Sequence, residues 1–279
     1  MAKTPIIFEE PLSRDEAVKQ LADFFKDGQG ALEEAIMSSM TLSPAEKARK
    51  IERIRGITAE LLVGSRRWVE INVPATYKEG AEFVIKKMEA QGITPKVTEG
   101  FNELHKEAVQ ALSDGVYTTL QTSLVSLEKR TINTLLQAYN INVENELLGM
   151  FTKGETRKEV SKFLVDRFEK NGVTMIVDRG GRKWNMEAYA RMVARTSRAD
   201  VFNNAVANRA LENGFDLVQV TAHQSKHEAC RIWENKVLSL TGVTKGYPTL
   251  DDAKAAGLFH PNCMHTYTAI TQEEANDLE

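Results

Sequence analysis

The rarest reactive side chains of this 279-residue chain are concentrated in one stretch. Both cysteines and four of the five histidines lie within the 43 residues from 223 to 265. They are His223, His227, Cys230, His260, Cys263 and His265. Neutral imidazole and thiolate are the ligands that tetrahedral zinc prefers, and packing alone explains such clustering poorly. The stretch therefore predicts a metal site whose ligands come from two separated groups of residues.

The residue types alone leave two alternatives to a metal site open, because the spacing matches no familiar zinc finger. The cysteines could be buried free thiols beside scattered surface histidines, or Cys230 and Cys263 could form a disulfide, which a reducing compartment disfavours. If four protein side chains hold a zinc ion, the site is closed and structural, with no position for a substrate.

An enzymatic interpretation rests on His260-Pro-Asn262-x-x-His265, which is similar to a His-Asn-His nuclease site. In such a site one histidine activates water beside a divalent metal. The usual strand–turn–strand–helix context is missing around these residues. The sequence also has no phosphate loop, no Gly-x-Ser-x-Gly elbow and no dinucleotide fingerprint. We therefore expect no enzymatic activity.

The elements that position the cluster have clear local signals. Alternation predicts strands over 215–221, 237–240 and 265–270, and a helix over 186–213 should stop at Gly214. Thr249 and Asp252 form a capping box for a short helix. Cys263 and His265 are two residues apart at the start of a strand, so both side chains can point to the same face.

The first half of the chain is helical by pattern. Ser13 with Glu16, and Ser43-Pro44-x-Glu46, have the composition of helix starts. Gly28 and Gly30 are expected to break the first helix, and Pro74 to end or restart the second. Glu159 to Lys170 is predicted to form a further helix.

The longest helical pattern runs from residue 101 to 136. Its apolar positions recur at spacings of three and four: Leu112, Val116, Leu120, Leu124, Leu127 and Leu135, with Thr131 in the gap. Such a stripe is typical of the core of a helical bundle, and also of a helix that packs against other copies of the chain.

The composition is that of a folded globular protein, with 42% hydrophobic and 27% charged residues. Two cysteines exclude a disulfide framework. No apolar run approaches the roughly 20 residues that span a bilayer. Residues 1–10 lack the pattern of a secretory signal, so we expect synthesis and folding in a reducing cytoplasm and no membrane partner.

Charge is uneven along the chain, whose formal net charge is −3. Residues 153–209 contain 13 Lys and Arg against 7 Asp and Glu, a difference of +6. Such a region could follow DNA phosphates, or it could be a solvated helix face with i,i+4 ion pairs. The residues predicted to contact DNA are Arg179, Arg182, Lys183, Arg191, Arg195 and Arg198.

Several sequence blocks after residue 150 carry a resemblance to a known family. Among them are Val173-Thr-Met-Ile-Val-Asp-Arg-Gly-Gly-Arg182, Cys230-Arg-Ile-Trp-Glu-Asn-Lys-Val237 and Gly257-Leu-Phe-His-Pro-Asn-Cys-Met-His265. With them the chain resembles the minor capsid or head-morphogenesis proteins of tailed phages. These include the Mu F-like minor head proteins and the group called phage minor capsid protein 2.

The resemblance also implies a ligand set. Family members have histidine where His223 stands and histidine or cysteine where Cys230 stands, an exchange that a zinc ligand tolerates and a disulfide does not. The implied structural zinc ligands are His223, Cys230, Cys263 and His265, with His260 and His227 as reserves. This chain has Met264 where the family pattern has arginine.

The function that the resemblance implies is structural. We expect a minor capsid protein attached at or near the portal inside the head of a tailed phage, acting in head morphogenesis and DNA packaging. Implied partners are the portal protein, the major capsid protein, packaged double-stranded DNA and further copies of the chain through its helical region. The expected location is the virion, after synthesis in the host bacterial cytoplasm. Two alternatives are a virion-carried effector enzyme, nuclease-like or transferase-like, and a DNA-binding interior head protein.

The expected fold is α+β. A helical arm or bundle over residues 1–150 should serve portal attachment or self-association. A Mu F-like domain over residues 151–279 should contain a short mixed or antiparallel sheet and the zinc site.

Overall fold

The computed structural model of the chain describes residue 8 and residues 11–37, 43–96, 101–138, 149–150, 152, 159, 173–225 and 227–278. Three long helices come first: α1 (Arg14–Met37), α2 (Pro44–Ala90) and α3 (Glu103–Ala138). Short strands and further helices follow, so the predicted α+β class is confirmed. The helix predicted between residues 159 and 170 lies outside the described residues, apart from Glu159.

Helix α1 continues through Gly28 and Gly30, so the prediction that these glycines break it was wrong. A Cβ on Gly28 would lie 2.6 Å from Leu61 Cδ2 of α2, closer than atoms can pack. Gly28 therefore allows two helices to approach closely. In the sequence, a glycine with this role looks the same as a glycine that breaks a helix.

Helix α2 is continuous through Pro74, which corrects the prediction of an end or restart near that residue. Proline inside a helix costs about 3 kcal/mol, because it removes a backbone hydrogen bond and crowds the preceding turn. Trp68, Val73 and Tyr77 are buried on either side of it. Each such side chain contributes roughly 1.5–3 kcal/mol when buried, so burial outweighs the local cost.

The apolar stripe of α3 is part of the protein's own core. Leu120, Leu124 and Leu127 are fully buried and Leu112 is half-buried. Thr131 is also buried, and its hydroxyl donates a hydrogen bond to the carbonyl oxygen of Val173. The bundle-core interpretation of the stripe is therefore confirmed, and the stripe is not a free surface for other copies.

The remaining elements are short. In chain order they are β1 (Ile176–Val177), β2 (Lys183–Trp184), α4 (Met186–Glu212), β3 (Leu217–Val220), α5 (Glu228–Arg231), β4 (Val237–Ser239), α6 (Leu250–Ala255), β5 (Tyr267–Ile270) and α7 (Gln272–Asp277). β1 and β2 form an antiparallel hairpin. The other three strands form an antiparallel sheet in the order β4-β3-β5, with Val218 opposite Leu238 and Ala269.

Local signals explain the boundaries of these elements. After α4 the chain turns at Gly214, whose φ of 87° is costly for any residue with a side chain. Thr249 and Asp252 form the predicted capping box at α6, and Thr271 and Glu274 form a second one at α7. The register of β3 places Val218 and Val220 in the core.

The chain divides into two compact units. The first contains the described residues of Met1–Phe8, Val18–Trp68 and Tyr117–Arg191. The second contains those of Glu9–Ala17, Val69–Val116 and Met192–Glu279, and its core joins Val84 and Met88 of α2 to Val218 and Leu238 of the sheet. The predicted domain boundary at residue 150 stays a prediction. Across the described residues, none of the helices is long and apolar enough to cross a membrane.

Candidate metal centre

Two short segments of the second unit bring three of the predicted ligands together. Cys230 lies on α5, and Cys263 and His265 lie in the segment that leads into β5. In the described part of the chain, four residues other than glycine have positive φ angles: Gln224, Asn235, Phe259 and Asn262. All four fall between the first and last residues of the cluster. Such strained backbone persists where the surrounding structure enforces it, and it is often found at functional sites.

Cys230, Cys263 and His265 form a buried group with their ligand atoms facing one another. The two Sγ atoms are 3.6 Å apart, and Cys263 Sγ lies 3.2 Å from His265 Nδ1. Around tetrahedral zinc, with sulfur at about 2.3 Å and nitrogen at about 2.0 Å, ligand atoms are separated by about 3.8 Å (S–S) and about 3.5 Å (S–N). The observed separations are close to both values, so the group fits a zinc ion with small adjustments.

The disulfide alternative is not what the structure shows, because both cysteines are free. A disulfide requires sulfur atoms about 2.05 Å apart, far closer than the observed pair. Burial and the neighbouring Cys263 thiol raise the pKa of Cys230 to about 12. Without a cation Cys230 is therefore a neutral thiol, and a bound cation would favour the thiolate that ligates metals.

Glu234 completes the surroundings of His265, although no sequence pattern singled it out. Its Oε1 accepts hydrogen bonds from the backbone N–H groups of Ser225 (2.9 Å) and His223 (3.0 Å), and lies 2.9 Å from His265 Nε2. These hydrogen bonds lower the pKa of Glu234 to about 2, and the bond from the Ser225 amide contributes most. A carboxylate on the second ring nitrogen fixes the tautomer that leaves Nδ1 free to bind a metal.

The remaining histidines are placed differently from this buried group. His223 is exposed, its Nε2 lies 3.0 Å from Thr221 Oγ1, and its ring centroid lies 5.2 Å from that of His265. The rings of His227 and His260 stack at 4.1 Å, and with Cys230 they form a second group that could hold a metal. Cys230 is thus shared by both groups, whereas His223 belongs to neither.

The arrangement is suited to crosslinking two segments of the chain. A metal held by Cys230, Cys263 and His265 would join α5 to the start of β5, segments more than 30 residues apart in sequence. The side chain of His265 is only 3% exposed and its outer nitrogen faces Glu234. A catalytic base must reach a substrate proton, so this burial disfavours the nuclease interpretation.

The basic residues predicted to contact DNA do not share one environment. Arg179, Arg182, Lys183 and Arg195 are exposed. Arg191 is half-buried and bonds to Glu187 one helical turn away, the i,i+4 pattern of a solvated face. Arg198 is 6% exposed and pairs with Glu79, so it is not part of an exposed basic face. DNA binding by the exposed residues stays a prediction.

Comparisons with known proteins give two matches. A sequence profile of the family described as "Phage minor capsid protein 2" matches residues 35–276. A curated protein named "Structural protein", from Lactococcus phage LL-H, is 28% identical over 142 residues. That match covers 48% of this chain and 38% of the relative, so the chain spans well under half the length of that protein. No solved structure gives a significant match.

Proposed function

The chain belongs to the phage minor capsid protein 2 family, and on that premise we propose that it is built into the phage head at or near the portal and acts in head assembly. The observation that carries this proposal is the extent of the family match, which includes the long helices α2 and α3 and the three-stranded sheet. The phage relative named a structural protein supports a virion role. Contacts with the portal protein, the major capsid protein or packaged DNA are part of the proposal.

The Cys/His group has a structural role in this proposal. Cys230, Cys263, His265 and His223 hold one zinc ion, which staples α5 to the start of β5. His223 is the fourth ligand because the family resemblance favours it, and its ring already lies beside that of His265. Four protein ligands leave no open coordination position, so the ion supplies stability and no reaction chemistry.

In this proposal the protein has no enzymatic role. The three side chains of the buried group are at most 6% exposed, and the glutamate beside them is bonded to two backbone amides and His265. Self-association through the helical region must use a surface other than the stripe on α3, because that stripe is buried.

The test of the virion role uses the full chain in the phage that encodes it. The gene is replaced by an epitope-tagged copy, and purified heads are analysed by quantitative mass spectrometry and by antibody labelling in electron microscopy. We expect the protein in mature heads, with label at the single vertex that holds the portal. Absence from purified heads would overturn the proposal, and label spread evenly over the shell would overturn its portal part.

The test of the zinc staple is elemental mass spectrometry on the purified native protein with four variants. We expect about one zinc per chain. Cys230→Ser and Cys263→Ser should lose it and melt at lower temperature, because a structural metal contributes directly to folding. His223→Ala should bind zinc more weakly while His260→Ala does not. The reverse order would move the fourth ligand to His260, and a metal-free native protein would refute the staple.

A further inference from the structure

A cleft of about 610 Å³ lies in the second unit, outside the Cys/His group. Helices α2 and α4 form most of its walls, and the first turn of α1 contributes one side chain. The lining residues that matter here are Arg14, Thr76, Glu79, Phe83, Arg198 and Phe202. Neither the family assignment nor the zinc proposal gives this cleft a role.

Two buried polar groups of the cleft wall are incompletely satisfied. Arg198 is 6% exposed, and its Nη2 lies 3.3 Å from Glu79 Oε2, but its Nε has no hydrogen-bond partner among the described residues. The hydroxyl of Thr76, which is 2% exposed, also has none among them. Buried polar groups in proteins are nearly always paired, so two such groups in one cleft indicate a missing partner.

The net charge of the cleft indicates that the missing partner is negatively charged. Four cationic side chains line it, Arg14, Lys78, Lys86 and Arg198, against two carboxylates, Glu79 and Glu82. The excess is two positive charges. Lys78 and Lys86 share Glu82, at 3.6 Å and 4.0 Å, and Arg198 pairs with Glu79, so the cleft keeps its positive excess for an incoming anion.

One wall of the cleft is aromatic. Phe83 is 41% exposed, and its ring centroid lies 5.6 Å from that of Phe202. Partly exposed aromatic rings beside an arginine are typical of the central contacts in protein interfaces. The cleft therefore offers a cationic floor and an apolar wall to the same ligand.

We propose that this cleft binds an acidic segment of another virion protein. A carboxylate of that segment pairs with the Arg198 guanidinium, whose planar fork matches it, and a neighbouring apolar side chain lies on Phe83. A DNA duplex fits the site less well. Duplex phosphates are usually bound along extended basic surfaces. In this concave site they would meet the carboxylates of Glu79 and Glu82.

This inference rests on the proposed virion role, and the experiment separates the two. A photoreactive benzoylphenylalanine replaces Phe83 in the full-length protein, and assembled heads are irradiated and analysed by mass spectrometry. Leu211 is the matched control position, because it is also 41% exposed, lies on α4 in the same unit and is not in the cleft. If the protein is missing from the heads, the virion role fails. If it is present, the crosslinks test whether the cleft binds an acidic segment.

We expect one partner peptide containing Asp or Glu, crosslinked from position 83 and not from position 211. Crosslinks to DNA alone, to a peptide without acidic residues, or to the same peptide from both positions would each overturn the proposal. The partner peptide is then synthesised, and its affinity is measured by fluorescence anisotropy.

Arg198→Ala and Arg198→Lys should weaken peptide binding by about tenfold or more, since both variants lose the planar guanidinium group. Phe83→Ala should also weaken it, and this exposed residue can be replaced without emptying the core. Arg195→Ala removes an exposed charge from the same helix and should change affinity less than about twofold. Equal effects of Arg195→Ala and Arg198→Lys, with circular dichroism showing all variants folded, would refute the assigned contact.

Discussion

Asp178 and Glu234 both have a pKa lowered to about 2, but their hydrogen-bond donors come from different distances along the chain. Asp178 accepts bonds from the Trp184 indole, the Gly180 amide and both the backbone and side chain of Arg182. All of these lie within six residues, in the β1–β2 hairpin. Glu234 instead joins the loop after β3 to His265 at the start of β5, 31 residues away.

The difference separates a local motif from a tertiary one. The Asp178 turn can form in an isolated hairpin, because its donors are held by the same few residues. The Glu234 arrangement exists only when β3 and β5 are paired, since its donors come from segments beside both strands. We therefore expect the loss of Glu234 to affect the folding of the whole second unit, and the loss of Asp178 to remain confined to its hairpin.

The largest effect is expected from Glu234→Ala. It leaves the amides of His223 and Ser225 without their acceptor and removes the group that orients His265. Zinc affinity, measured by chelator competition, should fall by about 10- to 100-fold, the usual result of losing such a supporting carboxylate. The melting temperature should fall even in metal-free protein. Glu228→Ala, an exposed acidic neighbour on α5, is the control and should leave both values unchanged.

An intermediate effect is expected from Asp178→Asn, and it should depend on pH. The pKa of Asp178 is about 2 in the folded protein and about 3.8 otherwise, so its stabilising contribution is complete above pH 4 and is lost as the pH falls towards 2. The fluorescence of Trp184 and the amide signal of Gly180 report on the hairpin. These two signals should differ between wild type and variant at pH 6 and become alike near pH 2. A difference that grows on acidification would contradict this assignment.

The smallest effect is expected from Arg182→Ala. The Arg182 side chain is 68% exposed, and its ion pair with Asp178 is one of several bonds to that carboxylate. Exposed ion pairs contribute little, because water and salt screen them. Thermal unfolding at low and high salt should give nearly the same melting temperature for the variant and the wild type. A large, salt-sensitive drop would mean that the hairpin depends on this single pair.

Much of the fold could be predicted from local sequence. The strands of the sheet, helix α4, its end at Gly214 and the Thr249–Asp252 capping box all have signals within a few residues. The failures at Gly28 and Pro74 have one cause. Each residue disfavours a helix on its own, and only the partner helix or the burial on either side reverses that preference.

The candidate site shows the same division. The clustering of histidines and cysteines predicted a metal site, and the family resemblance selected Cys230, Cys263 and His265, which the structure brings together. Glu234 is one of 39 acidic residues and has no distinguishing local signal. Arg198 lies in a locally basic stretch, and its burial against Glu79 depends on the packing of α4 on α2, which the sequence does not display.

The burial of both cysteines also determines how the protein responds to oxidation. The chain has only two thiols, and neither presents its sulfur at the surface. A protein packed beside many other subunits in a long-lived particle is exposed to accidental intermolecular crosslinks during storage and ageing. With its sulfur atoms facing each other in the interior, this chain offers a neighbouring subunit no exposed thiol.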